Sequence, residues 1–268
     1  MPSGVIYAKY SEQPTGLSSH YHDCNQLLFV TEGEAEITIG DSVYPATRGS
    51  LVIISRFEKH AVRVKSGTYR RYIVRIGPKR EENSRLSGDL FSLLINRRPG
   101  FHNAVSCRED AAAVEACFAA LAAEYGAAHP FREEMLDALL QTVLVQIARR
   151  MPDAVPVAVT PAALAVRTVQ KRLEDQYGEP HTLEELAAEV HLNPYYLSHL
   201  FKKETGQSVF GYLQACRLAA AKYQLTHTAL PIGRILDLCG FTDPGNFSRL
   251  FKSAVGCTPT EFRARYSG

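Results

Sequence analysis

From Val5 to Ile76 the apolar residues come in short runs separated by turn formers. Val5–Tyr10, Gln26–Val30, Glu34–Ile39, Ser50–Ser55 and Tyr69–Ile76 are rich in β-branched and aromatic residues. Gly33, Gly40-Asp41, Gly49 and Ser66-Gly67 divide them, which predicts strands and tight turns. Glu34-Ala35-Glu36-Ile37-Thr38-Ile39 alternates polar and apolar, the pattern of a half-buried strand. Many short strands with close turns predict a barrel or sandwich. The period changes after Glu109. Val114, Cys117, Phe118 and Leu121 recur at helical spacing, and so do Leu136, Leu139, Leu140 and Val143, continued by Leu144 and Ile147. Two amphipathic helices broken at Gly126 and Pro130 follow from this spacing. Their apolar stripes suit either the core of the β domain or a second copy of the chain. The run from Met151 to Pro161 holds three prolines and no helical period, as a linker does. Beyond it the chain reads as helices only. The expected class is α+β: a β domain over residues 1–108, a helical hairpin over 109–150, a linker over 151–160 and an all-α domain over 161–268.

The helical part contains an internal repeat. Leu197-Ser198-His199-Leu200-Phe201-Lys202 recurs as Phe247-Ser248-Arg249-Leu250-Phe251-Lys252. Gly206 and Gly256, Ser208 and Thr258, and Tyr212 and Phe262 keep the same offset of fifty positions, so one structural unit occurs twice. Each unit has the layout of a helix-turn-helix. In the first, Thr182 with Glu185 forms a capping-box pattern ahead of the stripe Leu183, Leu186, Ala187 and Val190. His191-Leu192-Asn193 then turns, and Asn193 caps a second helix with Pro194 in its first position. In the second unit Ile232, Ile235 and Leu236 supply the first helix. Cys239-Gly240-Phe241-Thr242 turns, and Asp243-Pro244 opens the next helix.

At 100° per residue Leu197, Leu200 and Phe201 share one face of the first unit's second helix, and Tyr195, Ser198, His199 and Lys202 the other. In the second unit Phe247, Leu250 and Phe251 are expected to be buried. Gly245, Ser248, Arg249 and Lys252 then point outward, with Asn246 at the edge. A buried stripe opposite a compact polar one suits a helix in a DNA major groove about 12 Å wide. A solvated helix of a protein-interaction module is the plainer reading; the duplicated pattern argues against it.

These residues resemble the AraC/XylS-type transcription regulators. The resemblance runs from Leu183-Glu184-Glu185-Leu186-Ala187 through Tyr196–Gly206, Tyr212-Leu213, Arg217-Leu218 and Ala221. It continues with Gly240–Asp243, Asn246–Lys252, Gly256 and Thr258-Pro259. It implies two helix-turn-helix units joined by a long helix, here near Phe210–Thr226, with their second helices in successive major grooves about 34 Å apart. Double-stranded DNA is then the main partner, with RNA polymerase a second one by family analogy, and activation is favoured over repression. Arg249 is the best candidate for bidentate contact with guanine. Tyr195, Ser198, His199, Asn246 and Ser248 are candidate base readers by position. Lys202, Lys203 and Lys252 are candidate phosphate contacts. Pro244 and Gly245 leave little side chain at the start of the second reading helix, so readout is expected to lean on the first unit.

In the β domain, His20-Tyr21-His22 is followed by Gln26 and Gly33, and Gly49 by His60. This spacing resembles the two motifs of the cupin barrel, a sensor fold that many AraC-type regulators carry in front. His-x-His puts two imidazoles on one face of a strand. His60 on a neighbouring strand would complete a three-nitrogen site for zinc, iron or manganese. Gln26 stands where metal-binding cupins usually have Glu, and Ser55-Arg56-Phe57 replaces the usual Pro-x-Gly. The candidate effector pocket is therefore His20, His22, Gln26 and His60. The three histidines either line an organic-ligand pocket, hold a divalent metal or pack the barrel mouth. Arg71 and Arg75 alternate along one strand, where a solvated face is expected. Cys24 is expected to be a buried small hydrophobe.

The 268 residues fit two domains, and 46% apolar with 22% charged residues excludes a disordered or disulfide-dense chain. The net charge of +2 does not advertise nucleic acid; the case for DNA rests on where the cations sit. Six scattered cysteines without a CxxC pair read as reduced thiols of a cytoplasmic protein. No apolar run approaches the roughly 20 residues of a membrane span. The expected function is a ligand-responsive, DNA-binding regulator and not an enzyme. It would bind a small-molecule effector in the β domain and dimerise through the hairpin. The competing reading is a metal-dependent cupin enzyme fused to a DNA-binding domain; Gln26 and the lack of a general base near the histidines argue against it.

Overall fold

The computed structural model describes residues 5–12, 15–77, 90, 93–94, 101–154 and 160–266. They form two compact units, one carrying the strands as far as Ser19 and from Asn25 on with the first two helices, the other carrying His20–Asp23 and the remaining helices. The centre of the 158–159 division falls in the expected linker, of which 155–159 lie outside the described residues.

The first unit is a seven-stranded antiparallel sheet of β1 (Val5–Glu12), β2 (Leu17–His20), β3 (Asn25–Ile39), β4 (Ser42–Ala46), β5 (Ser50–Ile54), β6 (His60–Ile76) and β7 (Ala104–Ser106). The strand order is β1-β6-β3-β5-β7, with β2 against β6 and β4 against β3. The two runs predicted as Gln26–Val30 and Glu34–Ile39 are halves of one strand, β3. Gly33 is a bulge in it, because the register against β6 shifts between Gly33 and Ala35. With φ at +83°, a Cβ there would lie 1.8 Å from the Thr68 carbonyl oxygen, so only glycine fits.

Alternation along the strands gives the sheet two apolar faces. Leu27, Phe29, Leu51, Ile53, Val74 and Ile76 take one face and pack against α1 (Ala111–Gly126) and α2 (Arg132–Arg150) through Val114, Phe118, Leu121, Leu136, Leu140 and Val143. The Phe29 and Phe118 rings stack at 5.4 Å. The hairpin thus buries its predicted stripe on the sheet. Met151 joins this core, and Pro152–Ala154 form a single 3-10 turn. On the other face Leu28, Val30, Ile37, Val52, Ile54, Tyr69 and Ile73 form a second cluster.

The second unit comprises α3 (Pro161–Asp175), α4 (Leu183–Glu189), α5 (Pro194–Thr205), α6 (Val209–His227), α7 (Ile232–Leu238), α8 (Pro244–Val255) and α9 (Pro259–Tyr266). Thr182 and Glu185 make both bonds of the predicted capping box. Leu186 and Ala187 are buried, while Leu183 and Val190 are only half-buried. The predicted linking helix is α6. Leu218, Ala221 and Leu225 of α6 pack with Ile235, Leu236, Phe247, Phe251 and Phe262 into the core of the second helix-turn-helix.

Candidate nucleic-acid interface and sensor site

The two reading helices are built alike. The Asn193 side chain accepts from the Tyr195 amide at 2.9 Å to start α5, and Asp243 Oδ1 accepts from the Gly245 and Asn246 amides at 2.8 and 3.1 Å to start α8. Proline occupies the first turn of each, and each ends on a left-handed glycine, Gly206 or Gly256. Leu197, Leu200, Phe201, Phe247 and Phe251 are buried, as the periodicity predicts, and Leu250 is half-buried.

On the opposite face of α5, Tyr195 is 73% exposed, and His199, Lys202 and Lys203 are exposed too; Ser198 is half-buried. The Tyr195 and His199 rings meet edge-on at 4.3 Å, so each limits the other's rotamers. On α8, Asn246, Ser248, Arg249 and Lys252 are all exposed. Among the described residues no ion pair engages Lys202, Lys203, Arg249 or Lys252. Four cations thus stand on the exposed faces of two helices. Tyr196, also exposed on α5, was not singled out by the face arithmetic.

Sequence reading also missed what fixes the two units together. Arg217 of α6 donates to the carbonyls of Tyr177 (2.8 Å) and Glu179 (2.9 Å), between α3 and α4. Gly240, in the turn before α8, closes on the same point. A Cβ on it would lie 2.7 Å from the Gly178 carbonyl oxygen and 3.0 Å from the Arg217 guanidinium. The neighbouring Cys239 thiol is pushed up to about 11 by burial, against the field of Arg217, and stays unreactive at neutral pH.

The His20 and His22 rings meet edge-on at 4.9 Å. His60 is 2% exposed, and its Nδ1 sits 2.9 Å from the Glu58 carbonyl oxygen. That bond favours the tautomer with Nδ1 protonated and leaves Nε2 as a ligand. Gln26, the fourth candidate, is buried, and its amide oxygen accepts from Arg75 Nε at 3.3 Å. The expected solvated face for Arg71 is corrected: Arg71 is 5% exposed. It alternates with Tyr69 and Ile73 on the sheet face turned away from α1 and α2. Periodicity gives the alternation but not which face is covered. Cys24 is buried, as expected.

Comparison with known proteins agrees with this division. The helix-turn-helix domain family matches residues 186–265, and the cupin domain family matches residues 9–74, a segment that includes all three histidines. The transcriptional activator RhaR of Pectobacterium carotovorum is 28% identical over 270 residues, covering 98% of this chain and 91% of the relative. RhaR of Shigella dysenteriae is 25% identical over 251 residues, covering 92% and 86%. ToxT of Vibrio cholerae shares the fold, with a TM-score of 0.66 at 12% identity over 98% of this chain and 100% of that one. A second ToxT structure, bound to an unsaturated fatty acid, gives 0.65 at 13% identity, covering 100% of this chain and 98% of that one. No described helix is long and apolar enough to cross a membrane. With a cupin domain matched in front, a helix-turn-helix domain matched behind and near full-length similarity to named transcriptional activators, the chain is similar to the AraC/XylS-type transcription regulators that its motifs resemble.

Proposed function

We propose that this regulator is an effector-controlled activator that binds promoter DNA as a homodimer in the cytoplasm. Residues 1–108 bind a small molecule, 109–150 carry the dimer contact, 151–160 link, and 161–268 grip the duplex. The observation that carries the reading is the pair of similarly capped helices, α5 and α8, each with a buried apolar stripe and an outward basic face. Arg249 reads guanine, with Tyr195, Ser198, His199, Asn246 and Ser248 beside the bases. Lys202, Lys203 and Lys252 hold phosphates. Activation follows the printed function of the RhaR relatives, and contact with RNA polymerase is the family analogy carried one step further. On α2 and its cap, Phe131 is 80% and Met135 50% exposed, apolar surface that suits a second copy. The effector shifts the population between DNA-binding arrangements of the dimer.

A mobility-shift assay tests the core of this reading. Promoter fragments from around the regulator's own gene should be retained over random duplex of the same length. Equal retention at about 0.15 M salt would overturn sequence-specific regulation, since non-specific binding alone gives that result. Sedimentation of the wild type and Phe131→Asp checks the dimer contact: the variant should become monomeric at concentrations where the wild type is dimeric.

A second reading has its own observation, the His20 and His22 rings paired at 4.9 Å. In it His20, His22 and His60 hold a divalent cation, which would be part of the sensor. Elemental analysis of purified protein should then find about one equivalent of metal, lost in His60→Ala.

A further inference from the structure

Among the described residues of the second unit, four helices are closed by a residue in the left-handed region, and three of them use glycine. Gly206 closes α5, Gly240 closes α7 and Gly256 closes α8, with φ at +75°, +73° and +87°. Behind α4 the residue is His191, with φ at +55°. The ends of α4 and α7 are one motif made twice. The Leu192 amide donates to the Ala187 carbonyl at 2.9 Å, and the His191 amide to the Ala188 carbonyl at 3.1 Å. The Phe241 amide donates to the Leu236 carbonyl at 3.0 Å, and the Gly240 amide to the Asp237 carbonyl at 3.1 Å. In this backbone region a Cβ crowds the neighbouring carbonyl oxygen, a strain that glycine escapes. Histidine visits the region more readily than most side chains, yet glycine would hold the same turn with less strain. No polar contact within the unit offsets the difference. The His191 side chain is exposed, and among the described residues no hydrogen bond, ion pair or ring contact engages it.

We propose that His191 binds a phosphate of the DNA backbone, its ring N–H donating to a phosphate oxygen at the rim of the major groove that α5 enters. A reading helix contacts base edges with its N-terminal residues. His191 stands two positions ahead of Asn193, the cap of α5. When the exposed Tyr195 of the first turn lies in the groove, the turn behind it lies where the phosphates run. Contacts there fix register and carry no sequence information. The imidazole keeps one N–H donor even when neutral, so the contact needs no change of charge. Glu189, the nearest carboxylate along the chain, faces Arg172 at 3.9 Å. In the second unit the same position is Gly240, closed on the Gly178 carbonyl oxygen, where a Cβ would come within 2.7 Å. The contact therefore belongs to the first unit alone. The inference rests on the DNA-binding reading of residues 161–268 and adds a positioning residue to it.

The test is His191→Gly in the full chain, read by thermal unfolding and by mobility shift on a duplex selected from a random pool. The variant should unfold about 4 °C higher than the wild type. It should bind the selected duplex and random duplex alike about tenfold more weakly, with the ranking of single-base operator variants unchanged. Neutral methylphosphonate placed at each phosphate flanking the first half-site then locates the contact. At one position it should weaken the wild type and leave His191→Gly unaffected. A higher Tm with unchanged affinity would overturn the phosphate contact, and so would a methylphosphonate series that weakens both proteins equally at every position. An altered ranking of operator variants would make His191 a base reader instead. A lower Tm would overturn the strain argument and show that the fold itself needs the histidine. Failure of the wild type to retain any duplex would count against the DNA-binding reading, and this contact would fall with it.

Discussion

Gly240 combines two constraints in one residue. Its φ of +73° belongs to the left-handed region, and its missing Cβ lets the Gly178 carbonyl and the Arg217 guanidinium approach. Gly240→Ala should therefore cost about 2 kcal/mol, from backbone strain and displacement of the Arg217 brace together. A urea midpoint unchanged from the wild type would show that the turn relaxes freely. Arg249 is the opposite case, exposed and with no ion pair among the described residues. Arg249→Ala should leave stability within about 0.5 kcal/mol and weaken specific binding by about 1–3 kcal/mol, relaxing preference at one base pair. An unchanged ranking of operator variants would remove it from base reading. Arg249 was legible because helical phase alone puts it opposite Phe247 and Phe251. Arg217 was not, because its partners are backbone carbonyls about forty residues away, and such bonds leave no periodic trace.

At the level of elements, the helices were more legible than the strands, and the reason is local. Caps, proline and glycine mark helix ends within a few residues, so α4, α5 and α8 start at Thr182, Asn193 and Asp243 as read. Strand pairing is long-range, and short edge strands carry little pattern. β4 contains Pro45 and exposed Ser42 and Val43, and β7 is only three residues long, so neither was read. Gly33 looked like a turn for the same reason a bulge does: both need positive φ. The three histidines stand out in the sequence by family spacing alone, whereas the burial of Arg71 needed the sheet. The caps give a direct prediction. Asn193→Ala removes the acceptor for the Tyr195 amide and should lower stability by about 1 kcal/mol. Asn193→Asp should retain it, because a carboxylate accepts the same bond at the positive end of α5. Equal losses for both variants would mean that the cap is not what starts the helix.

At the scale of the whole molecule, a net charge of +2 is too small to drive binding to a polyanion; what counts is that four cations occupy two faces of one rigid unit. The linking helix α6 has 19 residues and spans about 28 Å at 1.5 Å per residue, close to the roughly 34 Å between successive major grooves on one side of the duplex. Arg217 and Gly240 lock the turn before α8 to the α3–α4 loop, so the two reading helices move as a unit. One consequence concerns the phosphate contacts, and a second separates this arrangement from two independent DNA-binding arms. Lys202→Ala, Lys203→Ala and Lys252→Ala should each weaken all duplexes alike and flatten the plot of log K against log salt by about 1. Inserting five base pairs between the two half-sites turns the second groove to the far side of the duplex. For a rigid unit this should reduce binding to that of a single half-site, and ten base pairs should not restore it, because α6 cannot lengthen. Recovery at ten base pairs would mean that the two units turn freely about α6, and the brace at Arg217 would then have no part in spacing.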